Sequence, residues 1–202
     1  APPNPSFLCG VIEGFYGPPW STLERRELLE WMSEWGLNTY FYGPKDDLKH
    51  RVLWREVYSS TEAAALQDLI HACSRRGVAF VYALGPGLDI RYGSEADLDH
   101  LRERFRQMQE LGCAHFALLF DDIPDHLDPA DLARWGSLAK AQAQVANAVL
   151  EWTRRGGGGG GGGRFLFCPT PYCGRMVERR LGGEGYLEIL GTELDPEIGV
   201  FW

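Results

Sequence analysis

The chain has 202 residues, of which 45% are hydrophobic and 24% charged, which is enough apolar content to bury a core and too much for a disordered chain. Its formal charge of −8, with Lys and Arg scattered among acids instead of gathered in a patch, argues against a nucleic-acid partner. Signal-peptide pattern, lipidation motif and long apolar run are all missing, so no membrane partner is expected; the first residue is Ala1 and not Met, which leaves a trimmed leader open.

In chain order, Phe7–Glu13 is an apolar stretch that reads as a first strand, and the helical period of Thr22–Trp35 follows it. Ser21 and Glu24 bracket that helix start as a capping box, and Gly36 stands where a left-handed cap would end it. Asn38–Tyr42 is the second strand. Ser59 and Glu62 form a second capping box before a helix over Thr61–Arg75, which Gly77 closes. Ala79–Leu84 reads as a strand, Glu95–Leu111 as a helix ended by Gly112, and His115–Phe120 as a strand. Asp128-Pro129 puts a capping carboxylate before a proline suited to the first turn of one long helix, Ala130–Arg154. A strand over Arg164–Cys168, a shorter helix around Tyr186–Leu194 and a sixth strand at Gly199–Trp202 complete the series.

Alternating strands and helices need right-handed crossovers and give a parallel sheet covered by helices. A doubly wound sheet would place a glycine-rich phosphate loop after an early strand, whereas here polar residues gather where nearly every strand ends. The expected fold is therefore α/β, a (β/α)8 TIM barrel read as truncated after about five and a half βα units, since a whole barrel takes about 250 residues. Residues 1–202 are expected to be one incomplete barrel domain; a complete, open six-stranded sheet is the rival. The eight glycines from Gly156 to Gly163 lack the Lys-Ser/Thr pair of a phosphate loop and precede a strand, so they read as a flexible insert at the N-terminal face of the barrel.

In a barrel the site is built where the strands stop. Those positions are Glu13-Gly14-Phe15-Tyr16, Pro44-Lys45-Asp46-Asp47, Pro86-Gly87-Leu88-Asp89, Asp121-Asp122 and Pro169-Thr170-Pro171-Tyr172. Asp121 and Asp122 stand out, because an apolar strand ends abruptly on two carboxylates. Two adjacent acids repel, and partial burial of such a pair favours keeping one proton, as a general acid at neutral pH requires. A turn or helix cap is the bland alternative. Adjacency also restricts mechanism: retaining glycosidases with an enzyme nucleophile set two carboxyls about 5 Å apart across the sugar, and consecutive Cα atoms are about 3.8 Å apart. The nucleophile would then come from elsewhere, and the acetamido group of an N-acetylhexosamine can supply it. For Lys45 a surface salt bridge to Asp46 or Asp47 is an equal alternative, and Tyr16 and Tyr172 could pack on the rim.

No cofactor is expected. The His residues form no His-x-x-x-His pair, and Cys168 and Cys173 lack partner ligands, so no metal is expected either. Five cysteines without scaffold spacing read as free thiols, which fits a reducing compartment.

The segments Glu13-Gly-Phe-Tyr-Gly17, Asn38-Thr-Tyr-Phe-Tyr-Gly-Pro-Lys-Asp-Asp47, Lys49-His-Arg51, Trp54-Arg-Glu56, Ser94, Leu118-Leu-Phe-Asp-Asp-Ile123 and Phe165-Leu-Phe-Cys-Pro-Thr-Pro-Tyr-Cys-Gly174 resemble the O-GlcNAcase family, glycoside hydrolase family 84. The resemblance runs over nearly the whole chain except the glycine run. It implies hydrolysis of O-linked β-N-acetylglucosamine from Ser or Thr of nuclear and cytoplasmic proteins, with retention, through an oxazoline formed by the substrate. Site roles follow by matching position. Asp121 would orient the acetamido group and Asp122 would be the general acid and base. Tyr172 would hydrogen-bond near the acetamido oxygen, while Gly14, through its backbone, and Lys45 would hold sugar hydroxyls. The partners implied are O-GlcNAc-modified proteins, with room for a homodimer of a full-length protein. Pro171 departs from the acidic residue of animal relatives, and the family's later sugar-binding residues have no counterpart before Trp202. A catalytically inactive fragment, a binding module for modified proteins and a hyaluronidase-like activity stand as the alternatives.

Overall fold

The computed structural model of the chain describes residues 7–155 and 163–202. Six strands, β1 (Gly10–Glu13), β2 (Thr39–Tyr42), β3 (Ala79–Leu84), β4 (His115–Leu119), β5 (Phe165–Cys168) and β6 (Gly199–Val200), form one sheet in chain order. Every neighbouring pair is parallel. The sheet curls into part of a β/α-barrel, with helices α1 (Thr22–Glu34), α2 (Ser60–Arg75), α3 (Glu95–Glu110), α4 (Pro129–Trp135), α5 (Leu138–Arg155), α6 (Gly174–Glu178) and α7 (Tyr186–Glu193) between the strands.

The strands read as unbroken apolar runs because both faces are covered. Tyr40, Tyr42, Phe80, Tyr82, Phe116 and Phe167 point to the helices and join the main core, where rings stack across neighbouring strands, Tyr42 on Phe80 at 5.9 Å and Tyr42 on Tyr82 at 6.3 Å. The alternate positions Phe41, Val81, Ala83, Ala117, Leu119 and Leu166 form a separate cluster on the inner face. That face carries the smaller residues, as a closing curve demands.

Helix starts follow their local chemistry. Both capping boxes form, Ser21 with Glu24 and Ser59 with Glu62. Asp128 caps α4 by accepting from the N–H groups of Ala130 and Asp131. Two expectations need correction. The single helix over Ala130–Arg154 is two, because Gly136 adopts a left-handed conformation (φ 76°) and its N–H returns to the Leu132 carbonyl, a C-cap that ends α4. The short helix α6 was not anticipated; it has no side-chain cap and only one turn to advertise itself. Two strands are shorter than their apolar runs: β1 starts at Gly10 instead of Phe7, and β6 covers Gly199–Val200 alone. The glycine run, apart from Gly163, lies outside the described residues.

Candidate active site

Each candidate residue sits just past the end of a strand. Gly14 follows β1; Lys45 follows β2; Asp121 and Asp122 follow β4; Tyr172 follows β5. The loops that carry them are tied to one another by backbone hydrogen bonds. The Gly43 N–H donates to the Glu13 carbonyl at 3.0 Å, the Lys45 N–H to the Phe15 carbonyl at 3.2 Å and the Phe120 N–H to the Cys168 carbonyl at 2.9 Å. The loop after β5 is anchored through Thr170, whose hydroxyl accepts from the Gln142 side chain at 2.9 Å and whose N–H donates to the Tyr186 hydroxyl at 3.3 Å. Tyr186 closes this network by donating to Gln142. Pro171 is buried there, and Tyr172 still reaches the site.

Gly14, Lys45, Asp121 and Tyr172 line one cavity of about 220 Å³, together with Cys168 and the inner-face residues Phe41 and Leu119. Lys45 is nearly buried, and its ammonium meets Asp121 Oδ2 at 2.7 Å. Its partner is thus neither Asp46 nor Asp47 but a carboxylate 76 positions away. The other oxygen of Asp121, Oδ1, is buried and has no hydrogen-bond partner among the described residues. A buried acceptor without a donor is costly, so this oxygen is the natural place for an N–H or O–H of a ligand.

Asp122 stands beside the cavity, exposed at its rim. Its backbone is left-handed, with φ 52°, a conformation that costs a non-glycine residue on the order of 1 kcal/mol and is least unfavourable for Asn and Asp. The Tyr16 hydroxyl donates to Asp122 Oδ2 at 3.3 Å, and the Arg51 guanidinium donates to the Asp122 carbonyl. Tyr16 is therefore a neighbour of the acid pair and not a rim-packing residue. Burial and the charge of Asp122 outweigh the opposing pull of Arg51 and push the Tyr16 phenol above its ordinary value, so it keeps its proton and donates. Burial, with Asp122 and Asp121 adding to it, does the same to Tyr172.

Two further groups bear on what chemistry is available. Burial holds the Cys168 thiol up at about 12, with Asp121 adding to the effect, so at neutral pH it is a thiol and not a thiolate nucleophile. His50 is fully buried behind the loop, with Nδ1 at 2.8 Å from the Ala83 carbonyl and Nε2 without a partner among the described residues. Burial pushes its pKa down to about 4, which the ammonium of Lys45 reinforces, so the ring is neutral and Nδ1 carries the donated proton. Gly43 makes room for it: a Cβ there would lie 3.3 Å from His50 Cε1 and 3.3 Å from the Ala83 methyl.

A larger cavity of about 400 Å³ opens on the helix side of the sheet, between α1 and α2. Size alone would favour it, but its most enclosed acid, Asp47, is already satisfied by the hydroxyls of Tyr42 and Tyr58 and by the Lys49 N–H. The unsatisfied carboxylate lies in the smaller one, and chemistry decides in its favour. Among the described residues no group of three or more His, Cys, Asp or Glu could hold a metal ion, and no helix is long and apolar enough to cross a membrane.

Sequence reasoning brought Asp121, Asp122, Gly14, Lys45 and Tyr172 to one end of the sheet, and the structure gathers four of them on one cavity with the fifth at its edge. It assigned no role to His50 or Arg51. Both lie in a polar loop, on and just after a 3₁₀ turn over Leu48–His50, and only their long-range partners, Ala83 and Asp122, give them meaning.

A family model described as beta-N-acetylglucosaminidase (NAGidase) matches residues 9–202. The protein O-GlcNAcases of Mus musculus and Rattus norvegicus are each 43% identical to the chain over 196 residues, 97% of its length and 21% of theirs. The chain spans about a fifth of the length of these relatives. A solved structure of an Asp-to-Asn mutant of the O-GlcNAc hydrolase of Thermobaculum terrenum superposes with a TM-score of 0.86 at 35% identity, covering 96% of this chain and 40% of that one.

Proposed function

This chain belongs to the beta-N-acetylglucosaminidase family, and from that premise we propose that it carries the acid pair for hydrolysis of O-linked β-N-acetylglucosamine on Ser and Thr of nuclear and cytoplasmic proteins. The observation that supports this most is the asymmetry of the pair. Asp121 is held at one oxygen by Lys45 and has the other, Oδ1, without a partner among the described residues, while Asp122 is exposed at the rim and accepts there from the Tyr16 hydroxyl.

In this reading Asp121 Oδ1 accepts the acetamido N–H of the sugar, and the charge on the carboxylate raises the nucleophilicity of the acetamido oxygen. That oxygen attacks the anomeric carbon as the bond to the Ser or Thr oxygen breaks. Asp122 gives its proton to the departing oxygen, which leaves on the sugar an oxazolinium ring whose N–H stays hydrogen-bonded to the Asp121 carboxylate (the neutral oxazoline if that proton moves across to Asp121, to be returned when water opens the ring), and a carboxylate on Asp122. Water then loses a proton to Asp122 and opens the oxazoline from the face the protein oxygen left, so configuration is retained. Tyr172, kept protonated, donates near the acetamido oxygen, and Lys45 and the Gly14 backbone hold sugar hydroxyls. The raised Cys168 thiol fits this scheme, since no enzyme nucleophile is needed.

The test is a series of aryl glucosaminides whose N-acetyl group carries none, one, two or three fluorines. Fluorine withdraws electrons from the acetamido oxygen, so turnover is expected to fall steeply at each step; a flat series would remove the substrate nucleophile from the account. Cleavage of hyaluronan in preference to a glycosylated peptide would move the reading to the hyaluronidase-like alternative, and sugar binding without turnover would move it to a binding module.

A further inference from the structure

Asp122 is held at its carbonyl by Arg51 directly and at its carboxylate by Tyr16, which Arg51 also contacts. The Arg51 guanidinium donates through Nη2 to the Asp122 carbonyl, and through Nη1 to the Tyr16 hydroxyl at 3.3 Å. The Tyr16 hydroxyl in turn donates to Asp122 Oδ2 at 3.3 Å. Arg51 is 9% exposed, and no ion pair among the described residues involves it. A buried cation is normally matched by a carboxylate, because its desolvation must be offset. Here the guanidinium instead spends its donors on a backbone carbonyl and a phenol, and its position between Tyr16 and Asp122 is what those two contacts have in common.

The loop that delivers Arg51 is itself fixed. Asp47 caps the 3₁₀ turn by accepting from the Lys49 N–H at 3.0 Å, the Arg51 N–H returns to the Leu48 carbonyl at 3.3 Å, and the Gly85 N–H donates to the His50 carbonyl at 2.9 Å. Arg104 adds a bond to the Lys49 carbonyl at 3.0 Å. The guanidinium therefore approaches Asp122 from a clamped backbone. Asp122 needs such a clamp, since a left-handed aspartate persists only where its surroundings over-determine it.

We propose that Arg51 is a positioning residue for the acid step: it locks the left-handed turn at Asp122 and, through Tyr16, fixes which carboxyl oxygen faces the leaving group. With Oδ2 accepting from Tyr16, the proton of the acid form sits on Oδ1, the oxygen left for the glycosidic oxygen. The proton passes from Oδ1 to the leaving Ser or Thr oxygen and returns when the carboxylate deprotonates water. The inference rests on the reading of Asp122 as the acid given above.

The experiment compares kcat/KM of the chain and its variants on two aryl N-acetylglucosaminides, one with a poor and one with an activated leaving group. Arg51→Ala is expected to lose on the order of 10²-fold on the poor leaving group, the effect of misplacing a reacting group by about 1 Å, and only a few-fold on the activated one. Arg51→Lys keeps the charge but cannot span the carbonyl and the phenol together, and falls between. Tyr16→Phe, at an exposed side chain that leaves the fold intact, shows the same leaving-group dependence at smaller size, and keeps the test alive should the Arg51 variants fail to fold. Equal losses on both substrates, or none, would overturn the proposal. Crystal structures of the Arg51 variants give a readout independent of turnover: a negative φ at Asp122 supports the clamp, and an unchanged left-handed turn overturns it. A parent chain that cleaves neither substrate would sink the acid reading instead, while the φ at Asp122 still decides whether Arg51 sets the turn.

Discussion

Glu13 and Asp121 both stand where a parallel strand ends, and both meet a cation, yet they are built for different ends. Glu13 is completely buried on the helix side. Both of its oxygens are occupied, by two bonds from Arg25 at 2.8 and 2.9 Å, by the Trp20 N–H at 2.9 Å and by the Tyr40 hydroxyl. Asp121 is 17% exposed on the inner face, with one oxygen on Lys45 and the other without a partner among the described residues. A carboxylate with every lone pair used is a structural joint, because nothing more can bind it without breaking something. One held at a single oxygen is fixed in orientation and still able to accept. The contrast teaches where to look for chemistry: not at the more buried acid, nor at the larger of the two cavities, but at the acid whose hydrogen bonding is unfinished.

The contrast can be broken most forcefully at Glu13. Glu13→Gln leaves the Arg25 guanidinium partly buried against a neutral amide, and we expect a loss of about 3–5 kcal/mol in stability, read by denaturant unfolding. Sugar-analogue affinity in the protein that remains folded should stay unchanged; a stable variant that binds poorly would erase the distinction between the two acids. Asp121→Asn should act on turnover. It also leaves a buried cation, Lys45, against a neutral amide, so stability falls as well, but in the protein that remains folded turnover drops on the order of 10²–10³-fold for loss of the charge that assists the acetamido oxygen. A third arm uses pH. His50 binds a proton with a pKa of about 4 when folded and near 6.5 when unfolded, so the unfolded state takes up the extra proton between those values. Stability is then full above about pH 6.5, falls by roughly 3 kcal/mol as pH drops to about 4, and changes no further below that on this account. His50→Phe should flatten this limb in urea titrations at stepped pH; an unaltered slope would mean that the ring is not the group being protonated. Lys45→Met removes a charge-assisted contact worth about 1.5–3 kcal/mol, so KM should rise by about one to two orders of magnitude while the unfolding midpoint moves less than in Glu13→Gln. The smallest effect is expected from Gly43→Ala, whose methyl would press on His50 and Ala83 at 3.3 Å and cost about 1–3 kcal/mol of stability.

The parts of the molecule that local rules govern were legible in the sequence. Ser21, Ser59 and Asp128 cap because their side chains suit that geometry wherever a helix begins, and Gly36, Gly77 and Gly112 take left-handed φ of 73°, 69° and 95° where the helices before them stop. Asp121 and Asp122 were visible because two acids at the end of an apolar strand have nothing local to gain there. Gly136 carried the same cap signal as the other glycines, but the apolar stripe of α5 continues the helical period across it and hid the break. For Lys45, spacing left a salt bridge to its neighbours Asp46 or Asp47 as an equal alternative to a place in the site, since sequence proximity is all that spacing offers; the barrel curve instead brings Asp121 within 2.7 Å. Arg51 and His50 were illegible for the same reason. Their partners are 71 and 33 positions away, and no periodicity or spacing encodes a contact across the top of a sheet.

The central claim is that two adjacent carboxylates do different jobs, Asp121 assisting the substrate's own nucleophile and Asp122 moving the proton. The most direct measurement is kcat/KM of Asp121→Ala and Asp122→Ala on the poor and activated aryl N-acetylglucosaminides side by side. Asp122→Ala should lose about 10²–10⁴-fold on the poor leaving group and far less on the activated one, which departs without a proton, while Asp121→Ala should lose heavily on both. The same pattern in the two variants would contradict the division of labour.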